Sequence, residues 1–594
     1  MKQHPPTNRP PRTGGYVVVT ALVMMVVLML LASIILTGSV AGVQQAGGHS
    51  GLIRARAAAE AGQARAAFTL SESMVPGIDA VLNPYATQFL QQGQNAANTQ
   101  IIPNLQFGTV ITQLNAMTGT SQSGTVNGAD FTTTISFSNF RFDPGSYNPQ
   151  GLGQQYYVDY LVTSQGQSGA FNRNVEVNGT LRISMGRAPL NQYLLLADDG
   201  GSQEENFFGT GMNYDGPVQI NKNWMFAGSP VFSMGAKTAA STVKMRTCNG
   251  RTASWDAVAK QATNCTTPNW GGYGLQYNAP EIQLPQNSFS QARASLGLPA
   301  TVLTNPSRSE RCVALGITSC TTTQPAAGVY LPNPANGNKA GIYVQGNAEV
   351  RLSVQNGNQI YTIVQGNQTT TISVAYPNGP TVVTRPDGTT ETRSNYVPNG
   401  QLFVQGSITS LKGPARTGAL PNPLPANNAV PPQIPPAIAS ESQLNIAAAT
   451  DIVVQGDLTY QTNPITTPSA NNILGLIAGS GSVRVGTSAP NDLYMHGALL
   501  AGANGQGFKV DNYDSGNPRG SIHLLGSLAE SKEPPRGRAG FASNGTVTIQ
   551  NGYGDAFNFD QRFISGAKSP PFFPGTSIFS AQTALPSQRD WTEE

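Results

Sequence analysis

The sequence is short of charge. Of its 594 residues only 34 are Lys or Arg and 31 Asp or Glu, together 11 %, against about 25 % in ordinary globular domains. A net charge of +3 gives no electrostatic reason to expect nucleic-acid binding. Apolar content of 39 % is too low for a polytopic membrane protein and too high for a charge-driven disordered chain. The many glycines and prolines, 65 and 42, exclude a coiled coil or long helical protein. Cysteine and histidine number four each. Asn, Gln, Ser and Thr take the place of the missing charge. The composition describes a large, neutral, turn-rich β protein of three or four domains, or one long repetitive one.

The one long apolar run is at the start. Residues 1–15 form a basic leader with Lys2, Arg9 and Arg12, no acid, and four prolines that forbid a helix. No charge follows between Thr13 and Gly48. The run from Tyr16 to Val43 is about 42 Å long as a helix, enough to cross a hydrocarbon layer of about 30 Å. A cleavable secretory signal has a much shorter apolar core. The helical pattern continues through SGLIRARAAAEAGQARAAFTLSESMV to Pro76-Gly77, predicting one helix over 16–75. Gly38 and Gly42 stand at GxxxG spacing, which lets helices approach closely. The positive-inside rule puts the leader in the cytoplasm.

A basic leader, then Gly15-Tyr16, then an apolar helix that becomes amphipathic resembles a type IV pilin-like protein, with AAAEAGQARAA similar to a PilX-type minor-pilin N-terminus. The resemblance covers residues 9–75. It implies cleavage between Gly15 and Tyr16 by a prepilin peptidase, and partners among type IV pilus or pseudopilus components. Two features depart from the pattern: Thr13-Gly14 separate Arg12 from the cut, and Thr20 stands where major pilins carry a glutamate. The second departure fits a minor subunit better than a bulk one.

The four cysteines, Cys248, Cys265, Cys312 and Cys320, lie in one stretch. An even count in an exported chain predicts two disulfides. Three pairings are open; proximity favours 248–265 and 312–320. A zinc site is a poor alternative, since no CxxC occurs and no histidine lies between 50 and 495.

Residues 76–190 read as a small α/β module with antiparallel strands at 131–137, 156–163 and 175–185, the last two joined by the loop SQGQSGAFNRN. From 191 to 568 short apolar runs end in Gly or Asn-Gly. Val-Gln-Gly recurs at Val344, Val364, Val404 and Val454. This texture predicts a parallel β-solenoid whose Asn and Gln stack between coils. The alternative is a β-sandwich, because FVQGSITSL and TVVTRPDGTTETRS look like hairpins, the second with Asp387-Gly388 at its turn. Residues 412–437 are a proline-rich insertion, and 569–594 read as a tail, with Phe572 and Phe573 capping the core. The stretches NYDGPVQINKNWMFAGSPVF, DIVVQGDLTY, NDLYMHGALLAG, GSIHLLGSLAES and GYGDAFNFDQRF resemble an uncharacterised conserved domain of bacterial surface proteins, which implies no known chemistry.

Catalytic motifs are missing: no G-x-S-x-G, HExxH or P-loop occurs. The acidic stretch 195–216, with Asp198, Asp199, Glu204, Glu205 and Asp215, reads as a solvated loop, against a carboxylate pair or a calcium loop. His496 and His523 read as sheet histidines with satisfied hydrogen bonds. Lys532, Arg536 and Arg538 read as a basic surface loop, and Trp224, Trp255 and Trp270 as core residues before sugar platforms. The expectation is a protein without enzymatic activity, cofactor or metal. It is a single-pass inner-membrane protein whose C-terminal part is periplasmic or on the cell surface, in or beside a pilus. A glycan-binding or carbohydrate-active protein and a structural envelope protein are the alternatives.

Overall fold

A computed structural model describes residues 14–593 except 76, 83–106, 118, 143–153, 202–206, 249–250, 259–264, 318–323, 334–338, 426–428, 542–546, 567 and 584–586. The fold is mainly β behind one long N-terminal helix.

Helix α1 spans Gly14–Thr69, 56 residues, or about 84 Å. It holds no proline and is rich in Ala, Leu and Met, which favour helix. A π-turn, Leu70–Met74, follows. Residues 77–82 are again helical, so the chain does not leave the helical conformation for good at Pro76-Gly77 as expected.

The second half of α1 lies on an antiparallel meander: β1 (Ser121–Val126), β2 (Ala129–Phe142), β3 (Gln154–Ser168) and β4 (Phe171–Pro189). Ala55, Ala58, Ala59 and Ala66 are fully buried between helix and sheet. The two backbones nearly touch: a Cβ on Gly166 would sit 1.9 Å from the Ala55 carbonyl oxygen, and one on Gly62 would sit 2.4 Å from Ser164 Oγ. Beneath the helix, Thr133 Oγ1 and Ser164 Oγ share a buried hydrogen bond of 2.9 Å. Residues 164–174, expected as a loop, are therefore strand except at the two-residue turn Gly169-Ala170, where Ser168 faces Phe171. Ser164 and Gly166, which lie against the helix, are small as close packing demands. Gly166→Val is expected to lift α1 off β3 and to cost about 3 kcal/mol or more. A thermal unfolding midpoint within 1 °C of the parent, roughly the resolution of the measurement, would contradict the contact.

Most of the remaining described chain alternates between two large sheets, beside a four-stranded and a two-stranded one. Strands Ile342–Gln345, Gln401–Gln405, Gln443–Ala448, Ile473–Ala478 and Leu493–Ala501 pair in parallel in one sheet. Each is followed by a strand in the other: Ala348–Gln355, Ile408–Lys412, Ile452–Val454, Val483–Val485 and Phe508–Val510, again parallel. The first sheet runs on through Pro518–Lys532 to β5 (Leu195–Asp199), Val218–Ile220 and Ala236–Thr238. Val, Ile and Leu from both sheets meet in one continuous core. Asn445 Nδ2 donates to its buried register partner Gln401 Oε1 at 3.1 Å, an amide stack between layers.

Three expectations are corrected. FVQGSITSL is not a hairpin: its halves belong to different sheets and pair in parallel with neighbouring layers. The Val-Gln-Gly at Val364 ends a strand of an antiparallel meander, 348–393, not a parallel layer; the hairpin at Asp387-Gly388 belongs to that same meander. The segment 569–594 does not end the chain as a cap. Phe573 is buried, but Gly575–Thr583 and Ser587–Glu593 return to the antiparallel meander under α1 and pair antiparallel with β4.

Candidate functional site

Helix α1 has two environments. The large apolar side chains from Leu22 to Leu36 are between 47 % and 71 % exposed. The helix is long and apolar enough to cross a membrane, its most apolar window having a mean hydropathy of 2.7 with nothing packed on it. Thr37 turns back to the backbone: its Oγ1 donates to the Ser33 carbonyl at 2.8 Å, as hydroxyls in lipid-facing helices do. Beyond Gly48 the same helix becomes the spine of the antiparallel sheet. Gly15 and Tyr16 fall in its first turn. Lys2, Arg9 and Arg12 lie outside the described residues. A Cβ on Gly38 would meet nothing within 4 Å, so that position is open to a partner; the surroundings of Gly42 lie outside the described residues.

No described cysteine is free, and neither Cys265 nor Cys312 carries a titrating thiol. Cys320 and the Cys248 side chain lie outside the described residues.

Asp198, Asp199 and Asp215 are tied into the fold. Asp198 pairs with Lys222 at 2.7 Å. Asp199 Oδ1 accepts from the Gly201 N–H at 3.0 Å. Asp215 accepts from the Phe559 N–H at 2.6 Å and Asn558 Nδ2 at 2.8 Å. This is a strand end with tied carboxylates rather than a solvated loop; Glu204 and Glu205 lie outside the described residues. His496 Nδ1 accepts from the Tyr460 N–H at 3.1 Å, and burial, helped by Arg562, pushes its pKa down to about 3. His523 stacks on Tyr494, ring centroids 4.3 Å apart; burial lowers its pKa against the pull of Asp492. Trp224 and Trp270 are buried in an aromatic cluster with Phe208, Phe226 and Phe232. The Trp255 side chain lies outside the described residues.

Arg536 contradicts the expected basic surface loop. It is buried and holds Asp555 through two hydrogen bonds of 2.8 Å and Glu533 through one of 2.8 Å, with Glu530 at 3.8 Å. Burial pushes Glu533 up to about 7, with Arg536 opposing and Asp555 adding to it, and also raises Glu530 well above the usual carboxyl value. Lys532 and Arg538, its sequence neighbours, are exposed. The Glu530-x-x-Glu533-x-x-Arg536 spacing was the available signal: acids within six residues of the Arg.

The flank of the layered region carries a recess of about 470 Å³ lined by Thr450, Asp451, Ser480, Gly481, Arg484, Gln506, Lys509 and Asp511. Its polar groups are fixed by their neighbours. Arg484 donates to both oxygens of Asp511 at 2.9 Å, and Asp451 Oδ1 accepts from the Ser482 N–H at 2.7 Å.

Residues 155–248 match a family model described as a domain of unknown function (DUF4900). That span crosses from the meander into the layered region. No curated protein matches the chain. Among solved structures, the competence-associated pilin ComZ from Thermus thermophilus is similar at 10 % identity and a TM-score of 0.27, over 92 % of this chain and 98 % of that one.

Proposed function

We propose that this chain is a non-enzymatic, pilin-like surface protein. Its apolar half-helix sits in the inner membrane or in a pilus or pseudopilus, and its β region projects outward for assembly or adhesion. The observation that carries the reading is α1 itself: one continuous helix is an uncovered apolar rod over its first half and the core of an antiparallel sheet over its second. That division makes anchor and folded body a single rigid piece. The reading takes Gly15-Tyr16 as the cut made by a prepilin peptidase. It takes Gly38 and Gly42 as a helix-packing face and assigns a minor, not a bulk, place in the assembly. The alternating parallel strands support a β-solenoid over 191–568, with 412–437 as an insertion. Cys248–Cys265 and Cys312–Cys320 are proposed to close local loops in the oxidising space outside the membrane.

The intact mass of the mature chain tests the leader. Processing predicts an N-terminus at Tyr16; a mature chain still beginning at Met1 overturns the pilin-type reading. Normal piliation and adhesion in a deletion strain would overturn the assembly role.

A further inference from the structure

The recess beside Arg484 lies where each layer turns from one sheet into the other. Thr450 and Asp451 belong to one turn, Ser480 and Gly481 to the next, and Gln506 to the third. The polar strip extends to preceding layers, where Asn347 Oδ1 accepts from the Ser407 N–H at 2.9 Å and Ser407 Oγ bonds Thr450 Oγ1 at 2.6 Å.

Three properties of the lining select a ligand. No apolar side chain lines it, so it recognises hydrogen-bonding surface. Its charges cancel, Arg484 and Lys509 against Asp451 and Asp511, so it does not favour an ion. Its groups are already placed. Asp511 clamps Arg484, Asp451 Oδ2 stands 3.6 Å from Arg484 Nη1, and Gln506 Oε1 accepts from Ser482 Oγ at 2.7 Å and Lys509 Nζ at 3.3 Å. Gly481 keeps the floor low, since a Cβ there would lie 2.2 Å from Asp451 Oδ1. Groups already held by hydrogen bonds and ion pairs give up little freedom on binding. The volume falls within the range of small-ligand sites, about 300–1,000 Å³.

We propose that this recess is a binding subsite for a neutral saccharide. Its hydroxyls accept from Lys509 and Arg484 and donate to Asp451, Asp511 and the Gln506 amide oxygen. The chain of sugars runs along the stack axis over the strip Asn347–Ser407–Thr450. The proposal stands apart from how the chain is anchored and from the fate of its leader.

The test is calorimetric titration of the full chain in lipid nanodiscs with neutral tetrasaccharides of glucose and mannose, and with tetragalacturonate and inorganic phosphate. The expected result is binding of a neutral tetrasaccharide with Kd on the order of 1 mM, unchanged from low to high salt. Asp511→Asn and Lys509→Gln, both half-buried, should each weaken it about tenfold while the chain stays folded. Three results overturn it: no heat with any neutral sugar, tighter binding of tetragalacturonate or phosphate, or binding that both variants leave intact.

Discussion

Arg536→Ala is expected to destabilise the layered region by about 3–5 kcal/mol, the usual cost of leaving buried charges without their partner. The position is demanding because of where Phe508–Val510 lies. That strand is the last of its nine-stranded sheet, and an open edge leaves N–H and C=O groups unpaired. Here side chains stand in for the missing strand. Glu530 Oε2 accepts from the Phe508 N–H at 2.7 Å, and Arg536 Nη1 donates to the Phe508 carbonyl at 3.3 Å. Glu530, Glu533 and Asp555 then crowd one guanidinium, which also lies over the rings of Phe508 and Phe557 at 5.8 and 5.1 Å.

The pH dependence separates this account from simple loss of packing. Glu533 has a folded-state pKa raised to about 7, and that of Glu530 is also raised well above the usual carboxyl value. A carboxyl with a raised folded pKa binds its proton more tightly in the native state. Its contribution is therefore fully present below the unfolded value and is lost as pH rises through the folded one. Stability of the parent should fall as pH rises from about 4.5 through about 7. Arg536→Ala should be worse tolerated at pH 8 than at pH 5, because protonation relieves the uncompensated carboxylates. Chemical denaturation at the two pH values reads both effects. A variant equally damaged at each would mean that Arg536 acts through its bulk alone.

The sequence made some levels of this structure legible and hid others for physical reasons. Helix α1 was readable because a long charge-free run has few alternatives, and the β character of the rest because β-branched runs end in glycine. The strands through 164–174 were hidden, since Ser164 and Gly166 are small for the sake of the helix above them and small polar residues look like a loop. Arg536 was misread because local sequence shows it among Lys532 and Arg538, while Asp555 and Phe508 reach it from other strands. The flank recess has no local signature at all. Its lining comes from three turns and the strands that follow two of them, some thirty residues apart, and only the stacking of layers unites them.

The return of the C-terminus carries the other large expectation. A chain stopped at Pro574 should lose the strands that pair with β4 over Val175–Thr180 and Ile183–Pro189. It should also lose the ion pair between Arg56 and Glu593 at 3.4 Å, which ties the end of the chain to α1. That pair is half exposed and contributes little; the ladder hydrogen bonds are the main loss, on the order of 5 kcal/mol in total. The loss falls on the sheet that holds the helix, while the layered region keeps its own core. Two unfolding transitions should therefore replace a coupled one, the meander melting first. Amide hydrogen exchange in β4 should quicken by at least about a hundredfold, with Ile473–Ala478 and Leu493–Ala501 unchanged. Equal protection of β4 with and without the last strands would show that α1 alone stabilises the meander. The strand order makes the opposite case: β4 lies between β3 and the returning strands, so the end of the chain closes the sheet on which its beginning is held.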